Sequence, residues 1–319
     1  MKLEFYPLTR YFEMAKLNPF TPVVEGLISR KEFLLLHAPG KTGKSLLALN
    51  LAVAIASGES FLSFETFKGK VLYLQTELAA FAVQERIERM LTGLGEEQKS
   101  LIYQNIQIAD ARIRIDSEDD FDQLYRAIQA EKPSLVIIDP LYDMHSLNEN
   151  NAEEMTPLLA KFRQIAREID CAVILVHHQG KRGEGFSTNP GHQCRGSSAF
   201  ADVPDISLSL TRAAGQNYSL KGIFRNRPAI EELSLILDGK NLTFVSSVPI
   251  PKTPKTRAII LNALGSGETL SRDECYQVVQ EHRQVTRGAI KKALEELVES
   301  GLIECIGKFK DTKFQIIKS

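Results

Sequence analysis

Glu32-Phe33-Leu34-Leu35-Leu36-His37 is a short apolar run, and Ala38-Pro39-Gly40-Lys41-Thr42-Gly43-Lys44-Ser45 follows it directly. Beyond the loop, Leu46, Leu47, Leu49, Ala52, Val53 and Ile55 recur at helical spacing as far as Ser57-Gly58. A buried strand, a glycine-containing loop and a helix in immediate succession admit few folds. The loop fits the phosphate-binding pattern G-x-x-x-x-G-K-[ST], with Ala38 in the first position. The segment from Pro39 to Ser45 therefore reads as a nucleotide cradle. The N–H groups of Gly40 to Lys44 wrap a β-phosphate, with the positive end of the next helix behind them. Gly43 lets the backbone approach closely, Lys44 reaches the β- and γ-phosphates, and Ser45 offers a hydroxyl to Mg²⁺. ATP and Mg²⁺ are the ligands this chemistry expects. The bland alternative, a glycine-rich turn capping a helix, does not account for strand, loop, Lys-Ser and helix together.

A magnesium carboxylate belongs at the end of a neighbouring strand, and Leu135-Val136-Ile137-Ile138-Asp139 supplies Asp139. Hydrolysis also needs a group that orients water. Pro140 follows Asp139, so a glutamate in that position is excluded. Val71-Leu72-Tyr73-Leu74-Gln75-Thr76-Glu77 offers Glu77 at the end of the strand after the first helix instead.

The rest of the first 250 residues continues the alternation. Lys70–Gln75, Ile106–Ala109, Leu135–Ile138 and Ala172–Val176 read as strands. Phe81–Leu94, Asp119–Glu131 and Met155–Ile169 read as helices between them. Uninterrupted apolar strands joined by helices imply an α/β domain with a mostly parallel sheet. Ile206–Leu210, Tyr218–Phe224, Glu232–Leu237 and Leu242–Val245 are further short strands, expected as an antiparallel extension on one edge. Residues 1–30 form an N-terminal segment in which Pro7, Pro19 and Pro22 interrupt any helix. The ATPase-like domain is bounded at 31–248, and the proline-rich stretch 249–254 reads as a linker. No run reaches the length of a membrane span, and the N-terminus has no apolar leader core. The four cysteines have no C-x-x-C spacing. Together these favour a cytoplasmic, soluble protein with no membrane partner.

With Lys44, Glu77 and Asp139 placed, the chain resembles the RecA-like ATPases, most closely the RepA-type hexameric replication helicases and their AAA-family relatives. The resemblance runs over about 26–245. It includes Ala38–Ser45, Tyr73–Glu77, Val136–Leu141, Val176–Lys181 and Arg195–Ala199. It implies that Glu77 activates water and that His178 senses the γ-phosphate. Adjacent residues on a strand face opposite sides, so His177 and His178 do not chelate one metal. By the same resemblance, the segment after His178 lines a pore that grips single-stranded DNA, which makes Lys181 and Arg182 candidates for backbone contact. Arg195, or the pair Arg225 and Arg227, is implied to reach into a neighbouring subunit's nucleotide. Surface ion pairing is the alternative for these arginines, and the sequence does not decide which one acts in trans. The activity implied is Mg²⁺-dependent ATP hydrolysis by a homo-oligomer on DNA, as a helicase. The rival is a regulatory, DNA-binding ATPase switch of a mobile element, repair or defence system that does not unwind.

Residues 255–319 are read as three helices and a terminal hairpin, the layout of a winged helix. Ser271 and Glu274 form a capping box at the second helix. From 253 onward there are eleven Lys+Arg against nine Asp+Glu, in a chain whose net charge is −1. The near-neutral total thus hides a mildly basic C-terminal module. Arg287, Lys291 and Lys292 on the third helix, with Lys308 and Lys310 at the hairpin tip, are the candidate duplex contacts. Many winged helices bind protein instead, and the surplus of charge is small.

Overall fold

The computed structural model describes residues 4–17, 21–109, 113–178, 197–247, 256–264, 269–282, 287–299, 302–307 and 312–316. The chain divides into two compact units, Val23–Lys252 and Met1–Pro22 with Thr253–Ser319.

The elements in chain order are α1 (Leu8–Leu17), β1 (Pro22–Val24), β2 (Ile28–Ser29), β3 (Phe33–Ala38), α2 (Lys44–Ser57), β4 (Val71–Gln75), α3 (Ala80–Met90), α4 (Glu96–Asn105), β5 (Ile106–Ala109) and α5 (Glu118–Glu131). β6 (Leu135–Asp139), a 3₁₀ turn over Leu141–Met144, α6 (Ala152–Ile169), β7 (Ala172–His178), α7 (Ala199–Asp202), β8 (Ile206–Arg212), β9 (Asn217–Phe224), β10 (Ile230–Asp238) and β11 (Thr243–Ser246) follow; α1 belongs to the smaller unit and the elements from β1 to β11 to the larger.

One nine-stranded sheet organises that unit, in the order β11-β10-β9-β8-β3-β7-β6-β4-β5. β8, β3, β7, β6, β4 and β5 run parallel, and β9, β10 and β11 add antiparallel to one edge. The mostly parallel α/β fold and its antiparallel extension are therefore as expected. Alternation along each strand assigns its residues to two cores. Leu34, Leu36, Val71, Tyr73, Leu135, Ile137, Ile174 and Val176 pack with α2 on one face. Phe33, Leu35, Leu72, Leu74, Val136, Ile138, Val173 and Leu175 pack with α5 and α6 on the other. Both faces are covered, which is why these strands read as continuous apolar runs.

Two helices differ from expectation. α1 forms after Pro7, where a missing donor costs nothing, and ends before Pro19. The helix expected over Phe81–Leu94 stops at Met90, and α4 follows as a second helix. α4 carries no apolar stripe in its sequence, since Leu101, Ile102 and Tyr103 are adjacent, and Ile102 is its buried residue.

In the smaller unit, α8 (Thr256–Leu264), β12 (Leu270–Ser271), α9 (Arg272–His282), α10 (Arg287–Glu299), β13 (Ile303–Ile306) and β14 (Lys313–Ile316) follow in order. The strands form an antiparallel sheet in the order β12-β14-β13. The capping box is present in both directions: Ser271 N donates to Glu274 Oε2 at 2.7 Å, and Glu274 N donates to Ser271 Oγ at 3.3 Å. Ile290, Ala293, Leu294 and Leu297 turn the apolar face of α10 inward with Ile259, Val279 and Phe314 also buried.

Candidate active site

The site lies at the C-terminal ends of β3, β4, β6 and β7. Parallel strands bring these ends to one rim, and the loops leaving them meet there. The phosphate loop leaves β3 at Ala38 and enters α2 at Lys44. Gly43 holds φ of +97°, which a side chain rarely adopts, and a Cβ there would lie 3.3 Å from the Phe244 ring. Asn50 on α2 fixes that ring's strand: its Oδ1 accepts from Phe244 N at 2.6 Å and its Nδ2 donates to Leu242 O at 2.9 Å.

Lys44 is buried at the foot of the loop. Its Nζ donates to Ala38 O at 3.1 Å and Pro39 O at 3.2 Å, and lies 3.2 Å from His178 Nδ1. Burial lowers the Lys44 pKa, and the nearby carboxylates of Asp139 and Glu77 offset part of that. Asp139 is buried at the end of β6, and burial raises its pKa. Hydrogen bonds from Tyr73 and Ser45 and the charge of Lys44 pull it back, while Glu77 adds to the rise.

Glu77 sits on the loop after β4, exposed toward the cleft. That loop is tied to β6, since Thr76 N donates to Asp139 O at 3.2 Å and Thr76 Oγ1 to Asp143 Oδ2 at 3.2 Å. Leu78 N donates to Gln75 Oε1 at 2.7 Å and tightens the turn. Lys41, Gly43, Lys44, Ser45, Glu77, Arg86, Asp139 and His178 all line one cleft of about 320 Å³. Arg86, half-buried on α3, was not singled out from the sequence, because nothing in a helical pattern distinguishes one arginine that faces a cleft.

His177 and His178 face opposite sides of the sheet, as the alternation requires. His178 meets Lys44 on the α2 side, whereas His177 stacks on Phe200, with ring centres 4.1 Å apart. Among the described residues no cluster of three or more His, Cys, Asp and Glu is arranged to hold a metal ion. Mg²⁺ needs no such cage, because it keeps its waters and takes one or two protein oxygens beside those of a phosphate. Ser45 and Asp139, which line the same cleft as the Lys44 ammonium, are hard oxygen donors of that kind.

The other expected residues are not gathered here. Arg225 and Arg227 follow β9, which runs antiparallel to β8 and ends beside its first residue, Ile206. They therefore lie at the opposite end of the sheet from Lys44, about 17 Å away at 3.3 Å per strand residue. Arg227 pairs with buried Glu32 and lies over the Phe224 ring at 4.9 Å. Arg225 Nε is 3.7 Å from Asp205 Oδ1. Arg212, the last residue of β8, is an exposed arginine at the nucleotide end of this edge. In the smaller unit Arg287 and Lys291 are exposed on α10, whereas Lys292 is half-buried with its Nζ withdrawn from solvent. Lys181, Arg182, Arg195, Lys308, Lys310 and the stretch 249–254 lie outside the described residues.

A larger cleft of about 540 Å³ lies between α3, α4 and β5. Its walls are mostly apolar, from Val83, Ile87, Ile102, Ile106 and Ile108, and it offers no positive charge to a phosphate. The chemistry belongs to the smaller, charged cleft.

The ATPase domain of G40P superposes with a TM-score of 0.53 at 18% identity, covering 75% of this chain and 96% of that one. A DnaB-like replicative helicase, solved to show its interactions with primase, superposes with a TM-score of 0.54 at 17% identity. That alignment covers 75% of this chain and 65% of the helicase. At these identities the likeness is one of fold, the RecA-like core. Residues 3–184 match the AAA domain family. That span is more than half of the chain and contains the phosphate loop, Glu77, Asp139 and His178, so this protein belongs to the AAA domain family as a P-loop ATPase with a RecA-like core.

Proposed function

We propose that this ATPase is a Mg²⁺-dependent, homo-oligomeric motor acting on DNA, of the RepA helicase type and hexameric when active. The observation that carries the reading is the convergence of Lys44, Glu77, Asp139 and His178 on one cleft. Lys44 leaves its loop carbonyls to neutralise charge on the β- and γ-phosphates. Ser45 and Asp139 hold Mg²⁺, which when bound screens the phosphate oxygens. Glu77, open to the cleft, orients the attacking water and draws off its proton. His178 is within reach of the γ-phosphate through its contact with Lys44, and it begins the segment that leaves β7. A change at the phosphate is thereby passed toward Lys181 and Arg182, which contact single-stranded DNA in this reading.

Residues 255–319 of the smaller unit are proposed as a winged helix. Their order of helix, strand, two helices and hairpin supports this, with Arg287 and Lys291 presented for duplex contact and Lys308 and Lys310 assigned to the wing. The structural neighbours, an ATPase domain and a replicative helicase, lend the DNA-motor reading its class. The test is the ATPase rate with and without single-stranded DNA, together with the mass in the presence of nucleotide. Stimulation by DNA and a nucleotide-dependent hexamer are expected. A Lys44→Ala protein that hydrolyses ATP like wild type overturns the reading. Strand displacement on forked DNA separates a helicase from a switch that does not unwind.

A further inference from the structure

Tyr73 lies in the middle of β4 and is 2% exposed, among the apolar residues Val71, Leu135 and Ile137 of the α2-facing core. A phenylalanine would fill that space without the cost of desolvating a hydroxyl. The hydroxyl is not idle: it donates to Asp139 Oδ2 at 2.6 Å. The register explains the reach. Gln75 pairs with Asp139 across the parallel strands, so Tyr73, two residues earlier on the same face, rises beneath the carboxylate.

We propose that Tyr73 is a positioning residue for the metal carboxylate: its hydroxyl holds one oxygen of Asp139 and so fixes the plane in which the group meets Ser45 and a divalent cation. The carboxylate torsion of aspartate is otherwise broad and nearly two-fold. Mg²⁺ demands near-octahedral geometry at short distances, and a carboxylate free to turn meets that demand only part of the time. Tyr73 thus acts on the cation through Asp139 and touches neither nucleotide nor water.

The inference rests on the proposed Mg²⁺-ATPase reading, and the two fail differently. Wild-type protein that shows no Mn²⁺ binding in the presence of ADP sinks that reading. Wild type that binds Mn²⁺, with Tyr73→Phe binding it equally well, sinks this inference alone. The measurement is Mn²⁺ affinity by electron paramagnetic resonance with ADP bound, beside fluorescent-ADP affinity in EDTA. Tyr73→Phe is expected to weaken Mn²⁺ by roughly tenfold, the scale of one hydrogen bond to a charged group, with ADP affinity in EDTA within about twofold. The Mg²⁺ concentration for half-maximal ATPase rises in step, while kcat at saturating Mg²⁺ recovers. A merely structural hydroxyl would lower thermal stability and leave the Mn²⁺ affinity alone. In an Asp139→Asn background, Tyr73→Phe should add no further loss of Mn²⁺ affinity, and an additive loss overturns the proposal. Should Tyr73→Phe fail to fold, 3-fluorotyrosine at position 73 keeps the hydroxyl and reports by ¹⁹F resonance. A shift on adding Mg²⁺ to the ADP-bound protein supports the inference, and an unmoved signal overturns it.

Discussion

Lys44 Nζ and His178 Nδ1 lie 3.2 Å apart, joining the start of α2 to the last residue of β7. An ammonium has no lone pair, so toward a charged Lys44 the imidazole nitrogen is the acceptor. When Lys44 turns to a phosphate, that nitrogen loses its donor. The ring is then placed to answer to the nucleotide.

The first prediction follows from that contact. His178→Ala should lower kcat by about 10²-fold, the scale of one lost polar partner at a transition state, and leave nucleotide affinity within a few-fold. Single-turnover hydrolysis beside equilibrium nucleotide binding measures the split. A pure loss of affinity with kcat intact would remove His178 from the chemistry.

Glu77 faces the cleft from a loop tied to β6. Glu77→Gln preserves shape and the loop's backbone bonds but removes the base. The expected result is tight ATP binding with kcat reduced about 10²–10⁴-fold. Lys44→Ala should instead lose binding and turnover together.

Arg227 is committed to Glu32, a carboxylate almost wholly buried before β3. Removing one partner of such a pair leaves the other charge without compensation in the interior. Arg227→Ala should therefore destabilise the larger unit by about 3 kcal/mol, seen as a lower urea midpoint. Mixing it with Lys44→Ala subunits tests a trans role directly: restored ATPase would show that Arg227 serves a neighbour's site. No restoration is expected for Arg227. The same mixture with Arg212→Ala asks the question at the nucleotide end of the sheet.

Acid should weaken the fold through His37. This ring is fully buried on β3, its Nε2 lies 3.0 Å from Ser207 Oγ, and its pKa is lowered from 6.5 to about 3. Burial is the main cause, with His177 and Lys44 adding to it. Between about pH 3 and 6.5 the unfolded chain binds a proton that the native state refuses. Stability thus rises with pH across that window, is complete above it, and is lost as pH falls. The slope from one such group is at most about 1.4 kcal/mol per pH unit. Urea midpoints measured from pH 4.5 to 7.5 should show it, and His37→Asn should flatten it by about one proton's worth.

Much of the site was legible because its signals are local. The phosphate loop is eight contiguous residues between a strand and a helix, and Glu77 and Asp139 each end an apolar run. Parallel strands carry such ends to one rim whatever their order, so the constellation followed from the run-ends alone. α4 was missed for the converse reason: a helix that buries Ile102 and little else has no apolar stripe to read. Tyr73 looked like one more apolar strand residue, and its bond to Asp139 exists because β4 and β6 are neighbours in this register.

By itself the sequence determined the α/β class, the phosphate loop and the identity of the acidic residues, since each depends on adjacent residues and a fixed periodicity. The tertiary structure decided strand order and register, and therefore which end of the sheet each later residue occupies. Arg225 and Arg227 show the difference. Their spacing was plain in the chain, but the antiparallel return of β9 carries them away from Lys44 and into pairs with Asp205 and Glu32. Which strand lies beside which, and in what register, is set by pairing between segments distant in sequence, and no local pattern records that.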